Sequence, residues 1–211
     1  VSQLLLTHHH EDHSGNAYKI GKEFNLVPKA PALSQQKLAQ GYPTPLIQKV
    51  VWGNLKPVQT QALASREYLC DGSEIIPVHT PGHAKDLTCF YLPKQGYFFS
   101  GDLFIANKLK MMRSDENLAE LIASMQKVLA LDFDVLFCPH AGIVKQGKTP
   151  LQQKLDYILN MCAQVQELTA KGWDTQAVCD KLLAPKDMMG KLTGGNFSKL
   201  NLINQCDLVA L

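Results

Sequence analysis

The stretch Leu4-Leu5-Leu6-Thr7-His8-His9-His10-Glu11-Asp12-His13-Ser14-Gly15-Asn16 sets four histidines and two carboxylates directly behind a short apolar run. An apolar triplet that ends in polar residues reads as a buried strand feeding a loop. His8 and His10 are two residues apart, so in extended chain they point the same way. Asp12 and His13 follow where the chain turns into a helix predicted over about residues 15–24, with Ser14 or Asn16 near its cap. One short segment therefore carries donors for half of a dinuclear metal site. His9 and Glu11 alternate with those donors and are expected to face away.

Three later segments repeat the design. Ile75–Val78 reads as a strand leading to Thr80-Pro81-Gly82-His83. Thr88–Leu92 and Tyr97–Phe99 read as a hairpin around Lys94-Gln95-Gly96, and its second strand runs into Ser100-Gly101-Asp102. Val135–Phe137 reads as a strand ending in Cys138-Pro139-His140. Sites in α/β sheets form beyond the carboxyl ends of strands, so four such loops can converge on one spot. Imidazole and carboxylate together suit zinc, and also iron or manganese. Gly82, Gly101 and Gly142 give the backbone freedom to bring the donors close.

In these motifs the chain resembles the metallo-β-lactamase-fold hydrolases. His8-His9-His10-Glu11-Asp12-His13 is similar to their HxHxDH signature, and Thr80-Pro81-Gly82-His83, Ser100-Gly101-Asp102 and Pro139-His140 match the later motifs in order. The resemblance covers residues 4–142. It implies that His8, His10 and His83 bind one metal ion and that Asp12, His13 and His140 bind a second. Asp102 would bridge the two. It also implies an α/β fold, a four-layer αββα sandwich, in which several strands normally precede the HxHxDH loop. Only seven residues precede it here. The expectation is therefore an N-terminally incomplete sandwich, either clipped or completed by another copy in a homodimer.

The activity implied is metal-assisted hydrolysis with two divalent ions, zinc foremost. A hydroxide shared by ions about 3.5–4 Å apart would attack a polarised carbonyl. Asp12 would orient the nucleophile and pass a proton to the leaving group. The substrate would be a small thioester, ester, lactone or lactam. Related flavodiiron oxidoreductases usually carry Glu at the position of His10, so His10 favours a hydrolase. Glyoxalase II enzymes share the triple-histidine motif and a helical tail, but Leu103–Arg113 lacks their Gly-Arg loop. True β-lactamases usually lack the bridging Asp. The alternatives are an RNase Z-like phosphodiesterase and a metal-binding form without turnover.

Composition narrows the field. The 211 residues are 45% hydrophobic and 19% charged, with a net charge of +2. That permits a sizeable core and argues against disorder. Charge is balanced in both residues 1–148 and residues 149–211, so no basic nucleic-acid face is expected. No apolar run is long enough to span a bilayer, and the first residues lack a signal peptide's basic and apolar regions. Six scattered cysteines without a CxxC pair read as free thiols in the cytoplasm.

The remaining chain divides into a metal-binding domain over 1–148 and a helical extension over 149–211. Leu46–Trp52 is predicted to resume a helix after residues 34–40. A helix starting at Ser114 or Asp115 carries Leu118, Leu121, Ile122, Met125, Val128 and Leu129 at helical spacing. Residues 150–171, 175–184 and 197–209 read as helices, with no strand after about residue 145. His79 is expected to be hydrogen-bonded and partly buried. Asp86 is read as a turn cap or an orienter of a ligand imidazole, and Cys138 as a small buried hydrophobe or a neighbour of the metals. Lys108, Lys110 and Arg113 are read as a solvated face or as contacts for an anionic substrate.

Overall fold

The computed structural model describes residues 1–41 and 55–210. The helix predicted over Leu46–Trp52 lies outside them. The architecture is mixed α/β, built around one six-stranded sheet. In spatial order it comprises β3 (Glu67–Tyr68), β4 (Glu74–His79), β5 (Thr88–Leu92), β6 (Tyr97–Phe99), β8 (Val135–Cys138) and β9 (Gly142–Val144). Neighbours run antiparallel except β6 and β8, which are parallel. A parallel pair needs a crossover, and here the Leu118–Leu129 helix lies within it. The predicted hairpin is present, with Leu92 opposite Tyr97.

Alternation along the strands sorts the side chains between two faces. Cys89, Tyr91, Phe98, Leu136 and Cys138 join the main core. That core runs without a break from the sheet through the Leu118–Leu129 helix to the helices Lys148–Ala170, Thr175–Leu183 and Lys199–Leu208. Phe98, Met125 and Ile158 are among its fully buried members, each contributing about 1.5–3 kcal/mol through burial. On the opposite face Ile75, Phe90 and Leu92 meet Leu5, Leu63 and Leu69. Farther along that face Phe99 stacks on Phe137 at 4.6 Å, and Tyr97, Phe99 and Ile143 are partly or largely exposed. The described residues hold one large sheet rather than the two of a full sandwich.

At the N-terminal end, Leu5 forms a single parallel bridge with Lys29 rather than a full strand. A small parallel pair joins β1 (Lys29–Ala30) to β2 (Gln61–Ala62).

Several boundaries differ from expectation. Glu11–Ser14 is one helical turn, and the next helix is Ala17–Glu23. Asn16 stands at its N-cap as expected, without a side-chain cap hydrogen bond, while Ser14 Oγ donates to the carbonyls of His9 and His10. The helix expected from Ser114 or Asp115 starts at Leu118, because Asn117 accepts from Glu120 N and supplies the cap. A strand does occur after residue 145. β10 (Phe197–Ser198) pairs antiparallel with β7 (Met112–Arg113), and the final helix follows with Ser198 as its cap. Two-residue strands held by a distant partner leave no alternating pattern to read. Gly172, at φ +84°, ends the long helix as predicted.

Candidate metal centre

The four loops converge. His8, His10 and His83 form one group of donor atoms, and Asp12, His13, Asp102 and His140 form a second; within each group the atoms lie within 4.8 Å of one another. His83 Nε2 is 3.0 Å from His10 Nδ1. Asp102 faces both groups. One of its oxygens is 3.2 Å from His83 Nε2; the other is 3.0 Å from His13 Nε2 and 3.2 Å from His140 Nε2. All seven predicted donors are thus gathered, and Asp102 occupies the middle. His8, His10 and Asp102 are buried. The Asp12 and His140 side chains are 29% and 39% exposed, which places them on the open side.

Local sequence explains how the donors reach this spot. Gly82 sits at φ +134°, and a Cβ there would lie 2.5 Å from the Leu121 backbone. Only glycine lets the His83 loop approach the Leu118–Leu129 helix this closely. Gly101, at φ +45°, opens the tight turn Gly101–Leu103 that carries Asp102.

Burial and neighbouring charge set the protonation of the donors. Burial, then the adjacent His83, pushes the His10 pKa down to about 3. Burial, then His13, holds His8 well below its ordinary value. Both imidazoles are therefore neutral and able to donate lone pairs. His13 behaves oppositely: burial disfavours its charge, but the Asp102 and Asp12 carboxylates outweigh burial and raise its pKa. Asp102 is itself pulled down to about 2, the surrounding histidines overcoming the cost of burial.

A second ring of residues fixes these groups, and most of it escaped the sequence. Thr7 Oγ1 is 3.0 Å from His8 Nδ1, leaving His8 Nε2 buried with no hydrogen-bond partner. His83 Nδ1 is 2.7 Å from Glu116 Oε1, and the other Glu116 oxygen accepts from Arg113 N. Glu116 leaves no local signal, because its partner lies 33 residues away. Cys138 is buried and also works at the site: its sulfur accepts from the backbone N–H groups of His140 and Ala141 and donates to Phe104 O. Lys154, only 3% exposed, donates to Leu103 O at 2.7 Å. A signal for it existed, since a lysine between Leu151 and Leu155 falls on the apolar stripe of its helix.

Asp86 neither caps a turn nor touches a ligand imidazole. It accepts from His9 N, His9 Nδ1 and Ser34 Oγ, and so holds the residue between His8 and His10. His9 faces away from both groups, as its alternation predicts. His79 is hydrogen-bonded to Lys85 O but exposed rather than partly buried. Arg113 pairs with Asp115, and Lys108 lies over the Tyr157 ring. Lys110 stands in an exposed loop.

The donor set fits divalent cations. One group is all nitrogen, the other mixes imidazole with carboxylate, and His8 Nε2 has no hydrogen-bond partner in the buried centre. No helix among the described residues is long and apolar enough to cross a membrane.

Comparison with known proteins agrees with this geometry. The chain is 26% identical over 156 residues to an atrochrysone carboxyl ACP thioesterase of Aspergillus fumigatus, covering 74% of this chain and 43% of that one. It is 25% identical over 173 residues to a hydroxyacylglutathione hydrolase of Bartonella tribocorum, covering 76% and 60%. The chain thus spans less than two thirds of the length of either relative. Among solved structures, a metallo-beta-lactamase family protein from Thermus thermophilus superposes with a TM-score of 0.66 at 17% identity, over 97% of this chain and 72% of that one. The BLEG-1 B3 metallo-beta-lactamase superposes with a TM-score of 0.55 at 23% identity, over 70% and 73%. The model of the metallo-beta-lactamase superfamily matches residues 1–140, and the chain belongs to that superfamily.

Proposed function

We propose that this protein is a metal-dependent hydrolase that holds two divalent ions, zinc before iron or manganese, and cleaves a small carbonyl substrate, with thioesters the leading class. The observation that carries the reading is the pair of donor groups sharing Asp102. Two relatives bear hydrolase names, and one is a thioesterase. When bound, a pair of divalent ions supplies Lewis acidity that acidifies water and polarises a carbonyl. The chain's own residues do the rest. His8, His10 and His83 would be the nitrogen ligands of one ion, and Asp12, His13 and His140 would hold the other, with Asp102 beside both. Asp102, kept anionic, serves both. Asp12 is the accessible carboxylate, able to hold a proton from water and return it to the leaving group. Six unbridged cysteines suit a reducing, cytoplasmic setting.

The test is metal analysis after reconstitution with zinc, iron or manganese, paired with a panel of thioesters, esters, lactones and lactams. The expected result is about two ions per chain and thioester turnover. Asp102→Asn should lose the second ion and roughly 100-fold or more of the activity. One ion or none after reconstitution overturns the dinuclear reading. Cleavage of RNA without turnover of any carbonyl substrate would reassign the site to phosphodiester chemistry.

A further inference from the structure

The Lys148–Ala170 helix places one cation in the core beneath the metal centre. Lys154 is buried among Leu151, Leu155 and Ile158, residues of the same apolar stripe. Its ammonium donates to Leu103 O at 2.7 Å. Leu103 closes the short turn Gly101–Leu103 that carries Asp102. Contacts from the sheet side also hold the same turn, including Ser100 N donating to Phe137 O at 2.9 Å and Cys138 Sγ donating to Phe104 O at 2.9 Å. Both come from the strand or loop beside the site. Lys154 is the anchor that reaches the turn from the C-terminal helices.

A buried ammonium is costly unless it is paired and hydrogen-bonded. A neutral residue would fill this space on the stripe more cheaply, so packing alone does not explain a lysine here. Burial pulls the Lys154 pKa down to about 8, against the Glu116 and Asp102 carboxylates, which favour the charged form. The cation thus sits where it can grip the turn by its carbonyl.

We propose that Lys154 is a positioning residue: by holding the Leu103 carbonyl it fixes the turn so that Asp102 faces both donor groups at once. The proposal rests on the metal-centre reading above, but its first consequence concerns the turn itself and needs no metal. Supporting groups of this kind change metal affinity by about tenfold or more when removed.

The test compares wild type, Lys154→Met and Lys154→Arg. Methionine keeps an apolar stem without the donor, and arginine restores a cation and a donor. Hydrogen exchange over residues 100–104 in metal-free protein and cobalt titration followed by visible absorption supply the two readouts. In Lys154→Met, exchange over residues 100–104 should speed up while the flanking helix stays protected. The second cobalt ion should bind at least about tenfold more weakly. Lys154→Arg should recover both measures in part. Unchanged exchange together with unchanged cobalt affinity in Lys154→Met overturns the proposal. Should methionine at this site not fold, Lys154→Gln gives the same comparison, with unchanged exchange again the refuting result. Wild-type protein that binds fewer than two cobalt ions would strike the metal reading alone, and the exchange arm would still decide the role of Lys154.

Discussion

Replacing Glu116 by Gln removes one charge and almost no volume, so it isolates what the carboxylate does for His83. In the structure His83 Nδ1 stands 2.7 Å from Glu116 Oε1, and Glu116 Oε2 accepts from Arg113 N at 3.0 Å. A carboxylate can only accept, so the ring donates from Nδ1 and keeps the Nε2 lone pair free for an ion. Glutamine has one acceptor oxygen for these two donors. If the oxygen stays with His83, the amide group faces the Arg113 N–H and a buried donor goes unmade, at about 1–3 kcal/mol. If it turns to Arg113, the amide donates to Nδ1, and the ring proton moves to Nε2, where an ion should bind. Either outcome weakens the all-histidine group. The expected loss is about 10–100-fold in affinity for the ion held there, or roughly 1.4–2.7 kcal/mol. Cobalt titration of wild type and Glu116→Gln, with each band assigned to its donor group, measures this directly. A change of less than about twofold at the all-histidine group would refute the reasoning. So would a loss confined to the group containing Asp12.

Acidification should empty the two groups in a set order. Raised pKa means that His13 takes up its proton first as pH falls, and a protonated imidazole cannot ligate. His8 and His10 are depressed, so they stay neutral to lower pH. Cobalt spectra and metal content across a descending pH series should show the mixed group releasing its ion first; simultaneous release, or the reverse order, would count against this account. Gly82→Ala should destabilise the protein by about 2–6 kcal/mol, from backbone strain of about 1–3 and crowding against Leu121 of about 1–3. Denaturant unfolding measures it, and a change below about 1 kcal/mol would show that the loop yields without cost.

Much of this centre was legible before any fold was known. His8, His10, Asp12 and His13 sit in one short segment, and His83, Asp102 and His140 each follow a strand within a few residues. Such signals are local, because a short apolar strand followed by a donor residue is a pattern of neighbours in sequence. The same holds for Leu118, Leu121, Ile122, Met125 and Val128, whose spacing announced the buried stripe later seen against the sheet. The start of that helix is ambiguous in sequence because Ser114, Asp115 and Asn117 are all capable caps, and the structure uses Asn117. Glu116 supports His83 in the finished structure, Asp115 pairs with Arg113, and Ser114 Oγ donates to Asn196 Oδ1.

Which residues stand behind the ligands emerges only on folding. Lys154 meets Leu103 across 51 positions, and Glu116 meets His83 across 33. The β7–β10 pair joins residues still farther apart, and Asp86 is tied to His9 from 77 positions away. No periodicity links such partners, since their contact depends on how the sheet and helices pack. The order of residues along the chain is enough to point to the family and to nominate a donor set, because metal-binding chemistry demands particular side chains at short spacing. Three-dimensional packing decides how closely those donors approach one another and how Asp102 comes to face both groups. It also settles which buried charges hold them, because distance and burial arise only when the chain has folded.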